Sequence, residues 1–146
     1  MNDDLKNSSR GTADGASPFA QYDRVDSVLK LELARTSQSW DGAILPDYPA
    51  GQPELVVMRY VFPAGSRLPW HHHPVINYGI LQQGELTIVR VDGKKQVVRA
   101  GEAVVEMVDS VHCGMNLGDR PVVLDMFYVA QPGQPLSVPH PEVPMQ

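Results

Sequence analysis

Residues 65–84 read Gly65-Ser66-Arg67-Leu68-Pro69-Trp70-His71-His72-His73-Pro74-Val75-Ile76-Asn77-Tyr78-Gly79-Ile80-Leu81-Gln82-Gln83-Gly84. On a strand, side chains two apart share a face. His71 and His73 therefore look one way while Trp70 and His72 look the other, and Val75 and Asn77 continue the histidine face unless Pro74 introduces a bulge. Two imidazoles on one face can share a metal ion at about 2.0–2.1 Å from each nitrogen. They need a third ligand from a neighbouring strand, and His112 is the one plausible histidine left inside the patterned region.

Working outward, apolar and β-branched runs recur at Leu55–Phe62, Val75–Leu81, Glu85–Val91, Gln96–Val98, Ala103–Met107 and Val122–Val129. Pro63-Ala64-Gly65-Ser66, Gln83-Gly84, Asp92-Gly93, Ala100-Gly101 and Gly118-Asp119-Arg120-Pro121 divide them. Short strands at regular spacing between Gly and Asp turns predict an all-β sandwich or barrel. Val91-Asp92-Gly93-Lys94 is the strongest hairpin signal, and Asp-Gly suits a type I′ turn. Further upstream, Leu29, Leu31 and Leu33 alternate with Lys30 and Glu32, which predicts a half-buried strand with a short helix as its rival.

Two motifs now stand out. Gly65, five residues, then His71-x-His73 resembles the start of the first cupin motif, and Gly84 falls at that motif's closing glycine. Gly101, His112 and Asn116 keep the spacing of the second cupin motif. The chain resembles a small single-domain cupin of the conserved-barrel type. That resemblance implies a compact β-barrel or jelly roll with metal ligands pointing inward. It departs from the family at Asn77, where a Glu is usual, and at Met107 and Asp109, where proline and glycine are usual. The family commonly supplies three histidines and a carboxylate; Asn77 is neutral and its amide oxygen is a poorer ligand. Three imidazoles alone leave the ion's charge uncompensated, so such a site favours an anionic ligand or a bound hydroxide. Some cupin dioxygenases are similar in using three histidines with Fe(II).

The metal ligands read from this are His71, His73 and His112, with Asn77 either a fourth ligand or a group that orients water or substrate. The bland alternative for the three histidines is a barrel that has lost its metal. Glu106 is the other catalytic candidate, as a replacement ligand or a general base. Alternation does not settle its side, and it is read as a surface charge. His72 is assigned to the outer face, and His140, in the tail, to solvent. Cys113 should point away from His112 as a small buried hydrophobe, and Asn116 should tie down a turn. Tyr60, Tyr78, Tyr128, Phe62, Phe127 and Trp70 are read as core aromatics, one or two of them lining a pocket.

Composition bounds the rest. The 146 residues suit one domain, and a single cysteine allows no intrachain disulfide. A net charge of −5 with 12 scattered basic residues argues against nucleic acid and anionic membranes as partners. The N-terminal residues lack the apolar core of a secretory signal, and no apolar run approaches the roughly 18 residues of a membrane span. A cytoplasmic protein is expected. Residues 1–25 are expected to form a flexible arm, 26–131 the barrel, and 132–146 a tail. The tail's five prolines make it an extended strap or a loose end.

The preferred function is a mononuclear metal-dependent enzyme, dioxygenase-type, acting on a small and anionic molecule. One divalent ion is expected, Fe(II) by preference, with Zn, Ni, Cu or Mn as alternatives. A non-catalytic module that binds a small molecule or metal is the second reading, and a scaffold with a vestigial site the third. A homodimer is expected, formed by pairing the Leu29–Leu33 strand with a second subunit.

Overall fold

The computed structural model describes residues 17–145, so most of the expected N-terminal arm lies outside the described residues. Residues 17–32 form one compact unit and residues 33–145 another. In the first, β1 (Asp23–Val25) pairs antiparallel with β2 (Val28–Lys30). Asp26, at φ 52°, makes the tight turn between them. The alternating segment is thus a strand only as far as Lys30, and β2 has a partner within its own chain.

The second unit holds two antiparallel sheets. One has the order β3 (Glu54–Phe62), β10 (Val122–Ala130), β5 (Ile76–Gln83) and β8 (Ala103–Val105). The other has the order β11 (Val138–Pro139), β4 (His71–His72), β9 (His112–Met115), β6 (Glu85–Arg90) and β7 (Lys95–Arg99). From β3 to β11 the chain changes sheet at every connection except the β6–β7 hairpin. The two inner faces share one core, with Leu81, Leu124 and Met126 from the first sheet against Leu86, Ile88 and Val98 from the second. β10 shows why the sequence folds this way. Val122, Leu124, Met126, Tyr128 and Ala130 are buried while the residues between them are half-buried, and burying each large aliphatic side chain stabilises by about 1.5–3 kcal/mol.

The expected all-β fold is present, and the strand runs fall where the alternation put them. The Asp92-Gly93 turn differs in type. Gly93 sits at φ 93° and its N–H donates to the Arg90 carbonyl at 2.9 Å, but Asp92 is not at positive φ. A type I′ turn needs both central residues there. The loop Val91-Asp92-Gly93 instead matches the three-residue hairpin, in which a left-handed glycine follows a type I turn. The tail is a strap: β11 adds an edge strand, with Val138 opposite His72 and Pro139 opposite His71. An edge is where a sheet tolerates proline. No helix of the described residues is long and apolar enough to cross a membrane.

Candidate metal centre

His71 on β4 and His112 on β9 lie directly opposite each other in the second sheet. His73 follows just beyond the end of β4, as the chain turns toward the other sheet. The three rings form a near-equilateral triangle, with centroids 4.8, 4.6 and 4.9 Å apart. One ligand nitrogen from each lies within 4.8 Å of the other two, and all three residues are buried.

Backbone carbonyls fix how these rings face. His71 Nδ1–H donates to the Pro69 carbonyl at 2.6 Å, His73 Nδ1–H to Leu136 at 2.9 Å, and His112 Nδ1–H to Ser110 at 2.7 Å. A carbonyl only accepts, so each neutral ring carries its proton on Nδ1 and presents a lone pair at Nε2. Donation of the outer ring nitrogen to a carbonyl is the usual support of a metal-bound histidine.

Glu106 closes the site from the other sheet. Its N–H donates to the Asn77 carbonyl at 3.0 Å, prolonging the β8–β5 pairing by one residue. Its side chain is buried at 6 % exposure, with Oε2 2.6 Å from His112 Nε2 and 3.8 Å from His73 Nε2. The surface reading of Glu106 is therefore corrected. Glu106 keeps the parity of Val104, and both face the cavity; alternation pairs the two residues but does not say which side is inward. His112 Nε2 and Glu106 Oε1 have no hydrogen-bond partner among the described residues. Burial lowers the pKa of His71 and brings His73 down to about 4, keeping both rings neutral. At His112 burial acts in the same direction, but the Glu106 carboxylate outweighs it and raises the value. Burial would raise Glu106, but the three histidines hold it below the usual carboxylate range. Three inward-facing imidazole nitrogens and a buried carboxylate whose Oε1 has no hydrogen-bond donor constitute an environment for a cation. The donor set fits a divalent metal ion.

These residues open on a cavity of about 40 Å³. Its walls are mainly Phe62, Leu68, Leu86, Ile88, Val104 and Leu124, and the hydroxyls of Tyr60 and Tyr128 meet there at 2.7 Å. The sequence places these tyrosines among the core aromatics, one or two of which are expected to line a pocket, and both do. Their inward parity with Phe62 and Leu124 was the available signal for this. Asn77 is fully buried; its Nδ2 donates to the Val75 carbonyl at 2.9 Å and its Oδ1 has no donor.

The remaining candidates separate cleanly. Cys113 faces away from the triangle into a cluster with Trp70 and Val89. Asn116 is structural: Nδ2 donates to the carbonyls of Phe62, Pro63 and Arg120, and Oδ1 accepts from Gly118 N–H. His140 is not simply solvated. Glu142 Oε1 accepts from its Nδ1 at 2.6 Å, and its Nε2 lies 2.6 Å from His72 Nδ1. The β11 strap brings these histidines together, a contact between residues 68 positions apart.

Among solved structures, an oxalate oxidase in complex with the substrate analogue glycolate is 27% identical, with a TM-score of 0.50 over 57% of this chain and 45% of that one. The chain thus spans less than half the length of that oxidase. A double-stranded β-helix protein from Klebsiella pneumoniae matches at 19% identity and TM-score 0.50, over 63% of this chain and 90% of that one. The DMSP lyase DddQ from Ruegeria pomeroyi matches at 20% and 0.50, over 66% and 45%. At these identities the last two show the fold alone. No curated protein matches the sequence. The cupin domain pattern matches residues 58–139, over half of the chain and all of β4 to β10. The chain belongs to the cupin domain family.

Proposed function

We propose that the chain is a mononuclear metal enzyme, an oxidoreductase of the dioxygenase type, acting on a small molecule. The observation that carries this reading is the convergence of three imidazole lone pairs and one buried carboxylate on a small, apolar-walled cavity. His71, His73 and His112 would hold one divalent ion, and Glu106 would supply the carboxylate that Asn77 does not. Fe(II) suits this donor set best, and Zn, Ni, Cu and Mn are the alternatives. Bound there, iron would supply Lewis acidity and redox chemistry toward dioxygen.

The chain's own residues do the rest. The Pro69, Leu136 and Ser110 carbonyls hold the rings in one tautomer. The aliphatic walls exclude bulk water, which strengthens every electrostatic contact inside. Asn77 keeps an amide oxygen without a donor but is not among the residues lining the cavity. The likeness to oxalate oxidase supports a small oxygen-bearing substrate. A binding module without turnover is the second reading, and one observation favours it: with Glu106 as a ligand, no other carboxylate lines the cavity to serve as a base.

Oxygen uptake by anaerobically Fe(II)-loaded protein, measured across a panel of small carboxylates and alcohols, tests the proposal. Uptake should be abolished in a His71→Ala, His112→Ala double variant. Retained iron with no uptake on any compound would favour the binding module.

The chain is also proposed to form a homodimer in the cytoplasm, but through the outer face of the β3 sheet rather than the N-terminal strand. Leu55, Val57 and Val61 on edge strand β3 are 73, 63 and 59% exposed. Arg59, among them, is neutralised by Asp125 through two hydrogen bonds of 2.7 and 2.8 Å. Strands of 9, 9, 8 and 3 residues, about 4.8 Å apart and about 3.3 Å per residue, give a face of about 460 Å² in projection. That is over half of the roughly 800 Å² each partner contributes to a stable dimer.

A further inference from the structure

The cavity beside the histidines has two polar clusters within an apolar lining: the imidazoles with Glu106, and the paired hydroxyls of Tyr60 and Tyr128 on the β3–β10 sheet. Each phenol has one proton to donate. Within the pair one hydroxyl donates and the other accepts, so the accepting hydroxyl keeps a proton that no acceptor among the described residues takes up. Tyr128 is 2% exposed, and its ring lies 5.8 Å from that of His73. An unused O–H donor in an apolar chamber calls for a ligand that brings an acceptor.

Size and charge narrow the ligand. One water needs about 10–15 Å³, so a cavity of about 40 Å³ has room for about three, or for an ion with a few further atoms. No Lys or Arg is among the residues lining it. A divalent ion with three neutral imidazoles and one carboxylate carries a net single positive charge. A monoanion cancels it, whereas a dianion would bury a second carboxylate with no cation to meet it.

Resting on the metal-centre reading above, we propose that the Tyr60–Tyr128 hydroxyl pair and the histidine centre are the two halves of a subsite for a short monocarboxylate. One carboxylate oxygen faces the centre and the other accepts the free tyrosine proton. The apolar walls, with no cation among them, exclude dicarboxylates. The substrate class is thereby a monoanionic acid of about three to five non-hydrogen atoms.

The test uses the full chain loaded with Co(II), with cobalt content measured for every variant and acetate or malonate titrated by calorimetry. Malonate is the better chelator in water, so a preference for acetate is a stringent result. Acetate should bind at least tenfold more tightly than malonate. Its affinity should fall at least tenfold in the Tyr60→Phe, Tyr128→Phe double variant, cobalt content being unchanged. Tyr60→Phe alone, at a half-buried position, should show part of the loss. Malonate binding as tightly as acetate, or full acetate affinity in a cobalt-replete double variant, would overturn the subsite while leaving the metal centre intact. A wild type that takes up no cobalt would overturn both.

Discussion

Asp109 holds a backbone conformation suited to glycine. Its φ is 58°, and its N–H donates to the His73 carbonyl at 2.9 Å, tying the approach to His112 to the neighbouring ligand. The family's second motif carries glycine here. A left-handed residue with a side chain is strained by roughly 1–2 kcal/mol, less when it is Asp. Asp109→Gly is therefore expected to stabilise the protein by about 0.5–1 kcal/mol in urea unfolding, and a loss of stability would mean the side chain has a role of its own. Single residues were unequally legible in the sequence. The triangle of histidines followed from strand parity and motif spacing. The burial of Glu106 did not, because alternation paired it with Val104 without saying which side of so short a strand faced inward. The partners of His140 could not be read at all, since only the fold of the tail brings His72 beside it.

At the scale of elements, β5, β8 and β10 were readable because buried side chains repeat every second residue, whereas β6, buried from Leu86 to Val89, was readable from its apolar run and flanking turns. Turn type was not, since Asp-Gly is compatible with more than one hairpin loop. The tail was only half readable: its prolines predicted extended chain, but not that Leu136 would supply the carbonyl that orients His73. This gives the strap a role in the site. A chain ending at Gln131 loses β11 and the Leu136 carbonyl together. Its metal affinity is expected to fall about 10- to 100-fold, the range for removing such a support. Competition with a chromogenic chelator would measure it, and unchanged affinity would show that His73 is positioned without the strap.

For the whole molecule, two sheets around one core place the metal ligands and the tyrosines on facing walls. The same arrangement leaves β3 as an apolar edge. Exposed edges of this kind promote association unless they are covered. Size-exclusion chromatography with light scattering is expected to give a dimer mass, and Val57→Glu with Val61→Glu a monomer; a wild-type monomer would refute the interface. The claim on which the enzyme reading stands is that this barrel holds a metal ion. Elemental analysis of protein purified without a histidine tag, beside the His71→Ala, His112→Ala variant, tests it most directly. Close to one equivalent of metal per chain in the wild type and almost none in the variant is the predicted result. Little metal in either, even after anaerobic reconstitution with Fe(II), Mn(II), Ni(II) and Zn(II), would contradict it.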